Sequence, residues 1–330
     1  MKFLVVRFSS IGDIVLTTPV VRCLKKQVMT AEVHYLTKAS FRSLIEHNPY
    51  IDKAHYLQDN RDELMRTLQQ EDFDYIIDLH HNLRTLKVKK ALGKKSISFN
   101  KLNIEKYLYV NFKLRVLPDI HIVDRYLKTL HEFGVKNDGE GLDYFIPGKE
   151  KVKEKDIPAS HHAGYIGLVI GAAHDTKKLP LHKLKSLCAT IDHPIILLGG
   201  KEDKPNGDEI AAVDPYKIYN ACGKFSINES ADLVRRAKLV ITHDTGLMHI
   251  AAAFKKPIIS IWGNTVPEFG MYPYYGSGKG AFDIMEVRPL RCRPCSKIGY
   301  NKCPLRHFKC MEAIDVSEIY EKVKERLGRK

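Results

Sequence analysis

Short apolar runs recur along the chain, each closed by a polar turn and followed by a stretch of helical periodicity. In the first half the runs fall at residues 2–6, 32–37, 53–57 and 75–79; in the second they fall at 165–170, 194–198, 238–242 and 257–263. Runs this short and apolar, bounded by turn residues, predict strands buried on both faces. Between them the pattern predicts helices from about Val15 to Val28, to about Glu46, over roughly 60–70, from His121 to Phe133, over 181–191 and after Thr245. Pro19 is tolerated only in a first turn, so the first of these helices is expected to start near Thr17 or Thr18. A closing helix carries the apolar stripe Val316, Ile319, Tyr320, Val323 and Leu327, with Asp315 and Glu318 as a capping-box variant. Residues 264–290, rich in Gly, Pro and Tyr, read as irregular loop. Strand–helix alternation makes the protein α/β with doubly wound parallel sheets. The charged stretch 149–158 marks a domain boundary near 158, where the pattern restarts.

Bulk properties narrow the class. A chain of 330 residues fits two domains of about 150 each, 1–158 and 159–330. No apolar run approaches the roughly 20 residues that span a bilayer. Residues 1–7 carry a charge inside the apolar run and no small-residue cleavage site, so they read as a first strand rather than a signal peptide, and a cytoplasmic protein is expected. The formal net charge of +14 suits an anionic partner. Seven cysteines in such a chain argue against a disulfide framework. Cys23, Cys188 and Cys222 read as small core residues. Cys292, Cys295, Cys303 and Cys310, with His307 between, raise a structural zinc, but their spacing is less regular than paired knuckles require. Reduced packing thiols are the preferred reading.

Two turns carry the candidate chemistry. In 241–253 a strand runs into Asp244, Thr245 and Gly246, and a small-residue helix holding His249 starts at once. Such a turn aims backbone N–H groups and a helix dipole at one spot, a ready phosphate site. The same spacing also describes an ordinary Asp/Thr cap. After the first strand, Ser9, Ser10, Ile11, Gly12 and Asp13 form a second such turn. It is neither a P-loop nor a G-x-G-x-x-G fingerprint, which leaves no motif for a nicotinamide dehydrogenase. His80, His81, Asn82 and Arg84 follow the fourth strand on the same sheet edge; Thr176, Lys177 and Glu202 follow strands beside Asp244. Residues 84–115 hold ten Lys/Arg against one acid, Glu105, with Phe99, Tyr107, Tyr109 and Phe112 interleaved. This is either a solvated face or a basic apron for an anionic acceptor or lipid headgroups. No nucleic-acid module accompanies it, so nucleic acid is not an expected partner.

Together, Phe8-Ser9-Ser10-Ile11-Gly12-Asp13-Ile14 with Thr18-Pro19, Lys177-x-x-Pro180, Asp244-Thr245-Gly246-Leu247-x-His249 and the cysteine tail ending Cys310-Met311 resemble glycosyltransferase family 9, the ADP-heptose:lipopolysaccharide heptosyltransferases. The resemblance implies a GT-B fold: two Rossmann-like domains facing across a cleft, acceptor in the N-terminal half and donor in the C-terminal half. It implies an inverting, metal-independent transfer of heptose from ADP-heptose to a lipopolysaccharide inner-core acceptor, with no cofactor beyond the donor. Asp13 becomes the catalytic base, with Ser9, Ser10, Gly12 and Arg84 on the acceptor side. Lys177, with the Thr245 and Gly246 N–H groups, stabilises the leaving diphosphate, and Thr176 belongs to the same donor site. Asp244 holds sugar hydroxyls, His249 sits at the same helix start, Glu202 holds the ribose and Phe225 flanks the adenine. Leu179 stands where many members have Trp. A monomer in peripheral contact with the inner-membrane surface is expected. The alternatives are another nucleotide-sugar for a different cell-envelope glycan, or a nucleotide-binding α/β protein without transfer activity.

Overall fold

In the computed structural model, which describes residues 1–58, 61–278 and 280–328, the chain divides into two compact units. Met1–Leu102, Ile120–Phe145 and Tyr274–Gly278 build the first; the remainder builds the second. The last strand of the first sheet ends at residue 98 and the first strand of the second begins at 166.

The first unit is a five-stranded sheet of β1 (Lys2–Val6), β2 (Glu32–Lys38), β3 (Lys53–Leu57), β4 (Tyr75–Asp78) and β5 (Lys95–Ser98), in the order β3-β2-β1-β4-β5. Every pairing is parallel; Val6 lies against Leu36 on one side and Asp78 on the other. Leu4, Val6, Phe8, Leu36, Phe73 and Ile76 fill one face. The helix predicted from Val15 is split by Pro19: a short turn of helix, Ile11–Val15, precedes Thr18–Gln27, with the proline in the first turn of the second piece. The segment expected to be helical up to Glu46 is instead a 3₁₀ turn, Ala39–Leu44. The helix expected from residue 60 is Arg61–Gln70; residue 60 itself lies outside the described residues. The basic stretch is two helices, Leu83–Leu92 and Asn103–Phe112, around β5.

The second unit holds β6 (Ile166–Val169), β7 (Ile195–Leu198), β8 (Ile218–Asn220), β9 (Leu239–His243), β10 (Ile258–Trp262) and β11 (Phe282–Glu286), all parallel, in the order β11-β10-β9-β6-β7-β8. Numbered within the unit this is 6-5-4-1-2-3, so both sheets have the doubly wound order that reverses beside its first strand. The segment read as loop over 264–290 thus contains a strand, β11. The closing helix, Val316–Gly328, buries Ile319 and Val323 in the apolar cluster that also holds Leu184, Leu187, Ile241 and Ile261, with Val316, Tyr320 and Leu327 packed around it, as its stripe predicts.

Arg22 is the cation on an otherwise apolar helix face and is 2% exposed. Its guanidinium donates to Asp138, Asp143 and the Gly141 carbonyl, so a loop more than a hundred residues away is tied to the helix Thr18–Gln27. Removing one partner of a buried ion pair strands the others. Arg22→Ala is therefore expected to destabilise the first unit by about 3 kcal/mol, read by calorimetric unfolding; an unchanged first transition would contradict the role.

Candidate active site

Parallel strands bring all their carboxyl ends to one edge, and where the strand order reverses the connecting loops part and leave a crevice. In the first unit the reversal lies between β1 and β4, and the turn carrying Asp13 follows β1. Arg7 ends the buried strand run and must find polar partners. Its Nη1 donates to the Leu79 carbonyl (2.5 Å) and to the Tyr126 hydroxyl (3.1 Å), its Nε to the Ser9 carbonyl (2.7 Å), and its Nη2 pairs with Asp13 Oδ1 at 2.7 Å. Asp13 Oδ2 accepts from the Ser10 hydroxyl (2.8 Å) and backbone N–H (3.2 Å). Burial alone would raise the Asp13 pKa, but the Arg7 charge and the Ser10 hydrogen bonds outweigh it and hold the carboxyl below its ordinary value. Asp13 is thus an ionised carboxylate, one-fifth exposed, aimed by a fixed frame.

His80 follows β4 on the same edge, tilted against Phe8, and burial pushes its imidazole down to about 4, so it is neutral. His81 meets the Phe99 carbonyl through Nδ1, and Asn82 caps the helix that carries the exposed Arg84. Ser9 and Gly12 lie in the Asp13 turn, Gly12 buried.

In the second unit the reversal lies between β6 and β9, and the two turns that flank it bring together Lys177 and Asp244. Lys177 Nζ pairs with Asp244 Oδ2 at 2.7 Å, and the same oxygen accepts from the Thr265 hydroxyl at 2.9 Å. Gly263 sets the spacing: a Cβ there would lie 2.4 Å from the Thr176 carbonyl oxygen, so only glycine lets the end of β10 close on the Lys177 loop. Thr176 is buried and exchanges hydrogen bonds with the Tyr300 backbone, its hydroxyl donating to the carbonyl at 2.8 Å and accepting from the N–H at 2.8 Å. Leu179, buried, donates its N–H to His243 Nε2 at 2.9 Å. Thr245 is the N-cap of Gly246–Ala253 and makes no side-chain cap hydrogen bond. The first N–H groups of that helix consequently lack the usual hydroxyl cap. His249 is buried inside the same helix. Glu202 lies exposed in the turn after β7, and Phe225, half-buried, directly precedes the helix Ile227–Arg236 that follows β8.

Two positioning residues escaped the sequence reading. Arg7 had a signal, a charge at the end of a buried strand. Thr265 had none, because its partner is twenty-one positions away and the turn that joins them follows a different strand. None of the four tail cysteines is in a disulfide; burial pushes Cys295 up to about 11 and Cys310 up to about 12. Cys292 Sγ lies 3.9 Å from His307 Nε2. Among the described residues, the metal-capable group whose ligand atoms all lie within 4.8 Å is instead His34, His55 and Glu71. Glu71 is already paired with Lys2 and Lys53, which makes this cluster a salt-bridge network.

A model of glycosyltransferase family 9 (heptosyltransferase) matches residues 61–296, well over half of the chain. The chain belongs to glycosyltransferase family 9. The matched span contains the Lys177 and Asp244 turns, and the Asp13 turn precedes it. Lipooligosaccharide heptosyltransferase 2 of Haemophilus influenzae is 26% identical over 314 residues, covering 82% of this chain and 85% of that one. Among solved structures, the Escherichia coli ADP-heptose lipopolysaccharide heptosyltransferase II superposes with a TM-score of 0.76 at 19% identity, covering 99% of this chain and 98% of that one. A glycosyl transferase family 9 protein from Veillonella parvula superposes with a TM-score of 0.79 at 21% identity, covering 100% and 98%. The fold is GT-B, and this family 9 member is a glycosyltransferase.

The frame around Asp13 is testable without a substrate. Ser10→Ala deletes one hydrogen bond to the ionised form and should raise the Asp13 pKa, because a charge-assisted hydrogen bond favours the carboxylate. A ¹³C NMR titration of the carboxyl carbon reads this directly, and an unchanged midpoint would remove Ser10 from the frame.

Proposed function

We propose that the protein transfers heptose from ADP-heptose to a lipopolysaccharide inner-core acceptor with inversion at the anomeric carbon. The observation that carries this reading is the order of functional side chains along the second sheet. Asp244 follows β9, Lys177 follows β6, Glu202 follows β7 and Phe225 precedes the helix after β8, and these strands are neighbours in that order. Three strand spacings of about 4.8 Å make about 14 Å, the span of a nucleoside diphosphate sugar laid across the edge. Sugar hydroxyls would then meet Asp244, the diphosphate Lys177 and the uncapped helix start, the ribose diol Glu202, and the base Phe225. The names of the relatives add weight: that of H. influenzae is a lipooligosaccharide heptosyltransferase, and one solved relative was captured with ADP.

In this reading Asp13 takes the proton from the acceptor hydroxyl as its oxygen attacks the anomeric carbon and the bond to the diphosphate breaks. A carboxylate held below its ordinary pKa is a weak base, so the proton moves only as the attacking oxygen acquires positive charge. Ser9, Ser10, Gly12 and Arg84 line the acceptor side. The leaving diphosphate gains negative charge, and Lys177 can meet it: an ammonium has three N–H donors, and Asp244 engages one face of it. Thr245 and Gly246 N–H groups add to that field. Charge stabilisation from these groups is the basis for proposing a metal-independent transfer, which predicts undiminished turnover after dialysis against a chelator.

A second face supports peripheral membrane contact. In the segment 103–119, Ile104 (74% exposed), Tyr107 (53%) and Phe112 (61%) stand in solvent among Lys106, Lys113 and Arg115. Apolar tips within a basic surface suit an anionic bilayer, whereas no described helix is long and apolar enough to cross one.

The decisive tests separate donor from chemistry. Calorimetric titration with ADP, UDP and GDP should show ADP preferred and weakened at least tenfold by Lys177→Ala; preference for another nucleotide would replace the donor, and no binding would sink the donor site. Asp13→Asn should lower kcat by about 100-fold or more with ADP affinity kept, and near-normal turnover would remove Asp13 from its role.

A further inference from the structure

Within the second unit a cavity of about 700 Å³ opens beside Tyr109, Lys113 and Arg115 on one side and residues 287–293 on the other. Its size falls within the range of small-molecule sites. Its charge does not balance. Five cations line it: Lys113, Arg115, Arg288, Arg291 and Arg293. Among the described residues, two carboxylates answer them. Glu286 pairs with Arg288 and Arg293, and Glu268 pairs with Arg288 at 2.6 Å.

Of the remaining cations, Lys113 is held in place without being neutralised. Lys113 Nζ donates to the carbonyls of Val110 (2.6 Å), Pro294 (2.7 Å) and Cys292 (3.3 Å), which use its hydrogen bonds but leave its charge. The Arg115 guanidinium lies 5.9 Å from the centre of the Tyr109 ring, and Tyr109 is itself buried against Val266 and Phe269. Arg291 stands exposed at the rim. Neither Arg115 nor Arg291 has a carboxylate partner among the described residues. Uncompensated cations around a concave, partly apolar surface concentrate field for an anion and supply donors in the fork geometry that phosphate accepts. Val266, Val287 and Leu290 supply an apolar wall beside them.

We propose that this cavity is a binding site for a phosphorylated saccharide: Arg115 and Arg291 grip the phosphate and the apolar wall carries the sugar. It deepens the reading of an anionic glycolipid acceptor and rests on that reading for the source of the ligand, while its chemistry stands on the cavity alone. The segment that supplies Lys113 and Arg115 would then recognise a particular phosphate group as well as attract anions in general.

The experiment is calorimetric titration of the full chain, saturated with ADP, with glucose 1-phosphate and separately with inorganic phosphate. One salt-sensitive site is expected for each, with the phosphosugar tighter. Arg115→Gln/Arg291→Gln should weaken both at least tenfold, Arg115→Lys/Arg291→Lys less, and ADP affinity measured on the same samples should stay within twofold. Absence of binding in the wild-type chain, or equal affinity in the Gln variant, overturns the site. Phosphate and phosphosugar of equal affinity overturn its saccharide half. Because ADP binding is read independently, loss of the donor reading and loss of this site show up as different results.

Discussion

The structure depends on one constraint: in each sheet every strand runs in the same direction. Parallel pairing needs a crossover after each strand, so each carboxyl end feeds a loop and then a helix, and all those loops share an edge. The strand order reverses between β1 and β4 in one unit and between β6 and β9 in the other. At each reversal the two neighbouring loops run to opposite faces of the sheet, and a polar turn there can meet a ligand without displacing core. Asp13 occupies one of these positions; Lys177 and Asp244 occupy the other from its two sides.

The same device fixes both sets of groups. A carboxylate at a strand end is locked by a cation from the neighbouring backbone framework and by a hydroxyl, Arg7 and Ser10 for Asp13, Lys177 and Thr265 for Asp244. The Arg7 cation holds Asp13 in its charged form, and at both positions the hydroxyl helps set the orientation of the carboxylate. A side chain held in this way has little rotamer freedom left to lose when a substrate arrives, which is how a rigid α/β edge lends itself to group transfer.

Much of this was legible in the sequence, and the failures have physical causes. Central strands such as β1, β7 and β9 are buried on both faces and read as unbroken apolar runs. The edge strands β5, Lys-Ser-Ile-Ser, and β11, Phe-Asp-Ile-Met-Glu, have a partner on one side only and keep polar residues, so the first was lost in a basic stretch and the second in a loop. The loop positions of Asp13, Lys177 and Asp244 followed from the strand pattern. Thr265 and the loop partners of Arg22 did not, because nothing local records a contact made by chain segments far apart in sequence. The cavity around Arg115 was hidden for the same reason: its cations come from two stretches, and the sequence showed only one of them as basic.

In the proposed function a nucleoside diphosphate sugar lies across the carboxyl edge of the second sheet in the strand order β9, β6, β7, β8. The most direct measurement is a crystal structure of the protein with ADP-heptose. The base should lie against Phe225, the ribose at Glu202, the diphosphate on Lys177 and the Gly246 helix start, and the sugar at Asp244. A nucleotide running in the opposite direction, or seated over β10 and β11, would contradict it.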